Sequence, residues 1–358
     1  MRIEIVCPSR ELFGSDRSGV RLAALMQSVG AEAWLLAPSG RPERGLSKLA
    51  SEARVEMRTG PVIVVSSRGA HGGSAVLRPA PASADLTIYN SAAVAARVGA
   101  RGPSLLVLRE WLDPASVRHR LLCALHARRA RGVVAVSSPV ARQWRRSTRA
   151  SLPGAVIPNW LDDHWLAEGE PAEREGILFV GRLSSWKGQL VLADAFERAF
   201  GRSVARPSLT FLGAEGPESH FQRHAEALRA RCTARHWRLL PQTRDPRPVF
   251  RRAALVVLPS LRPEPFGNVV LEALASGCRV IAFPGGGIDD LAPRFPGVLE
   301  VVPRGVEPLA NALRRWHHAG GPAQSSVEQR QTRDKIAADF TAPAARERWR
   351  DLLGRLAL

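Results

Sequence analysis

The 358-residue chain reads as an α/β protein built from two parallel-sheet domains facing each other across a cleft. Three observations carry that expectation. Short apolar runs alternate with helically spaced segments from end to end, the rhythm of strand–helix–strand units. That rhythm is interrupted near residues 157–176, where Pro, Asn and Glu mark a linker. The length exceeds one ordinary core and suits two, and 45% hydrophobic residues are enough to fill both.

In the first half, apolar runs place strands at 2–7, 32–37, 61–66, 86–90, 104–109 and 132–137. Between the first two, Val20, Leu22, Leu25, Met26 and Val29 recur at helical spacing, predicting a helix over 19–29. Residues 116–131 predict a second helix, rich in arginine. The second half repeats the pattern more clearly. Strands are expected at 176–181, 208–213, 236–240, 254–258, 279–283 and 298–302, with helices at about 187–200, 218–231, 246–252, 267–276 and 305–318. From Ser325 onward a helical tail follows, broken near Pro343.

Composition narrows the function classes. The chain starts at once on strand-like residues and contains no apolar run of the ~18 residues that a spanning helix needs. A cytoplasmic protein without signal peptide is expected, at most peripheral at the inner face of a membrane. Four cysteines lie far apart with no CxxC pair, which speaks against a disulfide framework or a zinc site. The net charge is +18, yet only three of the 51 basic residues are lysines: Lys48, Lys187 and Lys335. Such a field attracts anions, including nucleotides and anionic lipid. Nucleic acid is not the expected partner, because zinc-finger spacing and an aromatic single-strand platform are both missing and there is one tyrosine.

The richest stretch is Arg262-Pro263-Glu264-Pro265-Phe266-Gly267-Asn268-Val269-Val270-Leu271-Glu272-Ala273-Leu274-Ala275-Ser276-Gly277. It follows a buried strand and opens a helix that Gly277 is placed to end. Backbone N–H groups near Phe266, Gly267, Asn268 and Val269 would point from that helix start at phosphate or sugar oxygens. A carboxylate at Glu272 can accept two hydrogen bonds from a vicinal diol such as a ribose. Glu264, with seven residues between it and Glu272, would grip the other end of the same ligand. Earlier in the chain, a buried strand ends in Gly181-Arg182-Leu183-Ser184-Ser185-Trp186-Lys187-Gly188. Arg182 offers a bidentate fork and Lys187 a point charge, which together suit a departing diphosphate.

These two segments resemble the retaining family-4 glycosyltransferases with the GT-B fold, two Rossmann-like domains. The resemblance is strong over roughly residues 176–290. It implies Arg182 and Lys187 on the donor diphosphate, Glu264 beside the donor sugar and Glu272 on the donor ribose. Gly213, in Leu212-Gly213-Ala214-Glu215-Gly216-Pro217, resembles the family's turn after the next strand, and Pro284-Gly285-Gly286-Gly287 its glycine turn beside the donor. Arg244 falls in the segment 242–245, where relatives contact the base. In the first half, Gly14 and Ser15 occupy the family's Gly-Gly loop with the second glycine replaced. Arg109-Glu110 stands where relatives carry His-Glu, and Arg109 can touch donor sugar or acceptor or pair with Glu110. Trp160 replaces the glycine of the family's Pro-Asn-Gly turn, which implies a linker stiffer or differently shaped than usual. The domains implied are 1–158 on the acceptor side, 159–335 on the donor side, and a C-terminal helix, 336–358, returning to the first domain.

The expected reaction moves a sugar, with retention, from a nucleotide-diphosphate donor to a hydroxyl acceptor, lipid-linked or otherwise, in polysaccharide or glycoconjugate synthesis. No DxD motif ends a strand, so metal independence is expected, with no cofactor beyond the nucleotide sugar as co-substrate. Three alternatives stay open: a nucleotide-sugar epimerase, an inverting transferase, and a non-catalytic scaffold of a polysaccharide assembly complex.

Overall fold

The computed structural model describes residues 1–7, 14–60, 84–91, 103–111, 130–148, 154–167, 173–201, 206–214, 219–243 and 245–356. The chain divides into two compact units, Met1–Asn159 together with Ala342–Leu358, and Trp160–Thr341.

The first unit holds a seven-stranded parallel sheet. Its strands are β1 (Arg2–Val6), β2 (Glu32–Pro38), β3 (Glu56–Gly60), β4 (Leu86–Tyr89), β5 (Ser104–Leu108), β6 (Gly132–Ala135) and β7 (Gly154–Val156), in the order β3-β2-β1-β4-β5-β6-β7. Ile3 stands beside Ala33 on one side and Leu86 on the other, so β1 is central and its apolar run is buried on both faces. The helices are α1 (Gly14–Ser28), α2 (Arg44–Glu52) and α3 (Ser138–Thr148), and the last helix of the chain also belongs here. Val6, Leu36, Tyr89, Leu106, Leu108, Val140 and Trp144 form one of its cores.

Two expectations need correction in this unit. Helix α1 begins at Gly14 rather than Gly19, so the glycine-containing loop supplies the helix's first turn, with buried Asp16 near its positive end. The edge strands β3 and β7 and the helices α2 and α3 were not anticipated. The strand expected at 61–66 and most of the helix expected at 116–131 lie outside the described residues.

The second unit has a six-stranded parallel sheet in the order β10-β9-β8-β11-β12-β13. Its strands are β8 (Ile177–Val180), β9 (Leu209–Gly213), β10 (Arg238–Pro241), β11 (Leu255–Leu258), β12 (Arg279–Ala282) and β13 (Leu299–Val301), each inside the span its apolar run predicts apart from Pro241 at the end of β10. The helices are α4 (Gln189–Phe200), α5 (Ser219–Arg235), α6 (Arg247–Arg252), α7 (Asn268–Ala275), α8 (Gly287–Leu291), α9 (Val306–His318) and α10 (Ser326–Asp339); the helical tail breaks at Phe340–Thr341, and α11 (Ala342–Arg355), of the first unit, carries Pro343 in its first turn. Aromatic rings fill the core: Phe179 packs on Phe211, and Trp237 meets Phe196 edge-on at 5.5 Å.

The described start of the segment expected as a linker, residues 157–167, packs through its tryptophans. Trp160 and Trp165 are buried, Trp165 meets Phe250 edge-on at 5.5 Å, and the Leu161 N–H donates to the Phe340 carbonyl. In each sheet the strand order reverses beside the first strand of its unit, between β1 and β4 and between β8 and β11. Open parallel sheets bind ligands outside the carboxyl ends of the strands at such a reversal.

Candidate functional site

In the second unit, four loops gather at the carboxyl ends of the strands. The loop after β8 runs through Gly181 and Arg182 into a short 3-10 turn, Ser185–Lys187, and α4 starts only at Gln189. Lys187 therefore sits on the turn rather than in the helix expected from 187. Backbone bonds hold this loop to its neighbours: Gly181 N–H to Leu212 O at 3.0 Å, Leu183 N–H to Ala214 O at 2.8 Å, and Leu261 N–H to Trp186 O at 2.7 Å. Gly188 has a φ of +79°, and a Cβ there would stand 2.0 Å from the Pro259 carbonyl oxygen. Only glycine lets the loops after β8 and β11 approach so closely.

That approach brings the chemistry together. Lys187 Nζ lies 2.7 Å from Glu264 Oε1, an ion pair whose side chains are 19% and 9% exposed. The Ser260 hydroxyl donates to the same carboxylate oxygen, and the ammonium also lies over the Trp186 ring at 4.3 Å. The Glu264 main chain is pinned from the other side, where the Gly287 N–H donates to its carbonyl at 2.8 Å and Gly286 pairs with it as a strand-like bridge. A Cβ on Gly286 (φ +70°) would stand 1.8 Å from that carbonyl oxygen, which is the physical reason for the glycine turn after β12.

Helix α7 starts just beyond. Gly267, at φ +98°, is its N-cap, so the first-turn N–H groups of an eight-residue helix open beside Glu264. The Phe266 side chain is buried against Phe340, with ring centroids 6.0 Å apart, so Phe266 can offer a ligand its main chain but not its ring. Asn268 is exposed, whereas Val269 and Glu272 are half-buried, Glu272 one turn further along the helix. Gly213 closes β9, where a Cβ would collide with the Gly181 carbonyl at 1.9 Å. Arg182 is exposed beside it. The structure thus brings Arg182, Lys187, Gly213, Glu264, Phe266, Gly267, Asn268, Val269 and Glu272 onto one edge of one sheet. Arg244 lies outside the described residues.

The first unit has its own polar cluster at the corresponding reversal. Arg109, at the end of β5, donates from Nε to Asn90 Oδ1 at 2.8 Å and from a terminal nitrogen to Asn159 Oδ1. The Glu110 charge also acts on its guanidinium. Glu110 accepts from the Ser91 hydroxyl and from the Arg109 main-chain N–H. Burial lowers the Arg109 guanidinium to about 10, partly offset by the nearby Glu110 charge, and it stays cationic at neutral pH. Gly14 and Ser15 form the first turn of α1. Ser260, Trp186, Asn90 and Ser91 escaped sequence reasoning, because nothing in their local pattern separates them from ordinary loop residues. Among the described residues, no group of three or more His, Cys, Asp or Glu could hold a metal ion, and no helix is long and apolar enough to cross a membrane.

Known proteins share parts of this picture. The family described as glycosyl transferases group 1 matches residues 174–318. A D-inositol 3-phosphate glycosyltransferase of Corynebacterium glutamicum is 34% identical over 128 residues, 34% of this chain and 29% of the relative. A phosphatidyl-myo-inositol mannosyltransferase of Mycolicibacterium smegmatis is 33% identical over 159 residues, 42% of this chain and 39% of the relative. Each match thus spans well under half of the relative's length. Among solved structures, Anabaena HepE in complex with UDP and glucose superposes with a TM-score of 0.80 over 99% of both chains at 19% identity. Sucrose-phosphate synthase from Thermosynechococcus elongatus does so with a TM-score of 0.75 over 100% of this chain and 99% of the other, at 16% identity. The fold is the GT-B arrangement of two Rossmann-like parallel-sheet domains.

Proposed function

We propose that the chain is a retaining glycosyltransferase using a nucleoside-diphosphate sugar, a reading supported by the match of residues 174–318 to glycosyl transferases group 1. The observation that carries this reading is the convergence of Arg182, Lys187, Glu264 and the start of α7 at the β8/β11 reversal. Transfer of a glycosyl group leaves growing negative charge on the departing diphosphate. Two cations and a helix N-terminus stabilise that charge without rearranging as it grows. Glu272 holds the ribose diol, and Glu264, oriented by Lys187 and Ser260, addresses the donor sugar. The family resemblance assigns Gly14 and Ser15 to the donor, and Arg109 and Glu110 to the sugar or the acceptor. The acceptor hydroxyl attacks the face that the diphosphate leaves, and a leaving phosphate oxygen takes its proton. Neither step calls for a metal or a further cofactor.

The relatives' names point to an acceptor class. Two are described as acting on inositol 3-phosphate or phosphatidyl-myo-inositol, which supports an anionic, lipid-linked hydroxyl acceptor at the inner face of a membrane. The +18 charge suits such a surface. The UDP and glucose bound in HepE favour uridine donors as the first to try. The test is incubation with UDP- and GDP-sugars in the presence of chelator, with D-inositol 3-phosphate or phosphatidylinositol vesicles as acceptor. Product with the donor's anomeric configuration by NMR supports the reading. An inverted product, or sugar epimerised without transfer, refutes it.

A further inference from the structure

One buried polar contact in the second unit lies next to the candidate site and takes no part in the account so far. Gln189, the first residue of α4, is fully buried, and its Nε2 donates to the Arg182 carbonyl at 2.7 Å. Its Oε1 faces His224 Nε2 at 3.0 Å, on α5, and His224 is 8% exposed. The arrangement has a direction. The Arg182 carbonyl can only accept, so the amide nitrogen faces it and the amide oxygen faces the imidazole. His224 must therefore donate from Nε2. Burial lowers the His224 pKa, so the ring is neutral and the chain of bonds adds no charge beside the loop.

An amide buried at a helix start is costly compared with leucine unless both of its ends are bonded. Here both ends are bonded, and what they hold is the main chain of the cationic loop. The neighbouring bonds of that loop run from Gly181 to β9 and from Leu183 to Ala214, one residue on either side of Arg182. The Gln189 amide holds the peptide that follows the Arg182 Cα. Fixing that peptide plane limits where an exposed, many-jointed arginine can place its guanidinium.

We propose that Gln189 and His224 are positioning residues for the nucleotide diphosphate, acting through the main chain of Arg182. The proposal rests on the reading of Arg182 as a diphosphate ligand. If it holds, the loss caused by removing the amide appears in the phosphate part of the ligand alone and requires Arg182.

The test measures binding of UDP and GDP by calorimetry, and of uridine and guanosine by ligand-detected NMR. The proteins are wild type, Arg182→Ala, Gln189→Leu, the double variant, His224→Leu and His224→Gln, each checked for native melting. The amide nitrogen of a glutamine at 224 occupies about the place of an imidazole Nε2. Gln189→Leu and Arg182→Ala are each expected to weaken the bound diphosphate about tenfold, with nucleoside binding unchanged. The double variant should lose no more than Arg182→Ala alone, and His224→Gln should recover what His224→Leu loses. Loss in Arg182→Ala with none in Gln189→Leu, or losses that simply add, overturns the proposal and leaves the donor-site reading intact. Should Gln189→Leu melt early, failure of His224→Gln to exceed His224→Leu overturns it instead. Unchanged diphosphate binding in Arg182→Ala overturns the reading and the proposal together.

Discussion

Lys187 and Glu264 stand 77 residues apart in sequence and 2.7 Å apart in the fold, and their pairing sets what each substitution does. Lys187→Ala removes a cation from the proposed diphosphate site and also takes from the Glu264 carboxylate its ammonium partner. Turnover should fall by about 10²–10³-fold in a protein that still folds, as initial rates and melting curves would show. Glu264→Gln keeps the size of the side chain and removes a negative charge from the proposed donor site. It should cost turnover by a similar factor while UDP or GDP affinity is kept; a parallel loss of affinity would contradict a role at the sugar. His224 gives a pH signature. Its folded pKa lies below the ordinary value, so stability is fully present above about pH 6.5 and falls as the unfolded chain takes up a proton that the folded ring resists. Denaturant melts from pH 7.5 to 5 should therefore lose stability more steeply for wild type than for His224→Leu. The buried thiols Cys232 and Cys278, raised by burial to about 11 and about 12, should resist alkylation until the protein unfolds, as mass spectrometry of labelled protein would report.

Among the elements, the strands that sequence patterning located well are the buried ones. Ile177–Val180 and Leu255–Leu258 are covered on both faces, so nearly every position is apolar. The missed strand Glu56–Gly60 is a polar edge strand held by pairing to β2, a long-range fact with no local signal. Helix α2 was missed because it buries only Leu46 and Ala50. The site divides in the same way. The candidates Glu264, Glu272, Arg182 and Lys187 stand out in the sequence because each lies in a short motif after an apolar run. Ser260, Gln189 and His224 do not, because their meaning comes from partners supplied by other segments. Loop geometry explains the glycines. Gly188→Ala, forcing a Cβ against the Pro259 carbonyl at φ +79°, should cost about 2–4 kcal/mol and weaken activity by parting the loops after β8 and β11. Ser325→Ala is the contrasting case. It removes the capping box at the start of α10, where the Glu328 N–H donates to Ser325 Oγ at 3.3 Å and the Ser325 N–H to Glu328 Oε2 at 2.7 Å. A loss of about 1 kcal/mol with unaltered turnover is expected.

For the whole molecule, two units whose sheets share one order over six strands, the first adding β7 at its edge, carry different residues. The second has the cations, carboxylates and helix start suited to a nucleotide sugar, and the family match falls on it. The first has amide oxygens of Asn90 and Asn159 around Arg109, where the resemblance implied a histidine. The charge of +18 belongs to this scale as well. The protein should sediment with vesicles containing anionic lipid, release them as salt rises, and ignore neutral vesicles. The central claim, that the second unit is a metal-independent nucleoside-diphosphate site built on Lys187, is tested most directly by calorimetry. UDP, GDP, dTDP and ADP would be titrated, with chelator present, into wild type and Lys187→Ala. Binding of one diphosphate by wild type, weakened about ten- to hundredfold in the variant, is the predicted result. Binding of none of the four by folded wild type, or equal binding by both proteins, would contradict it.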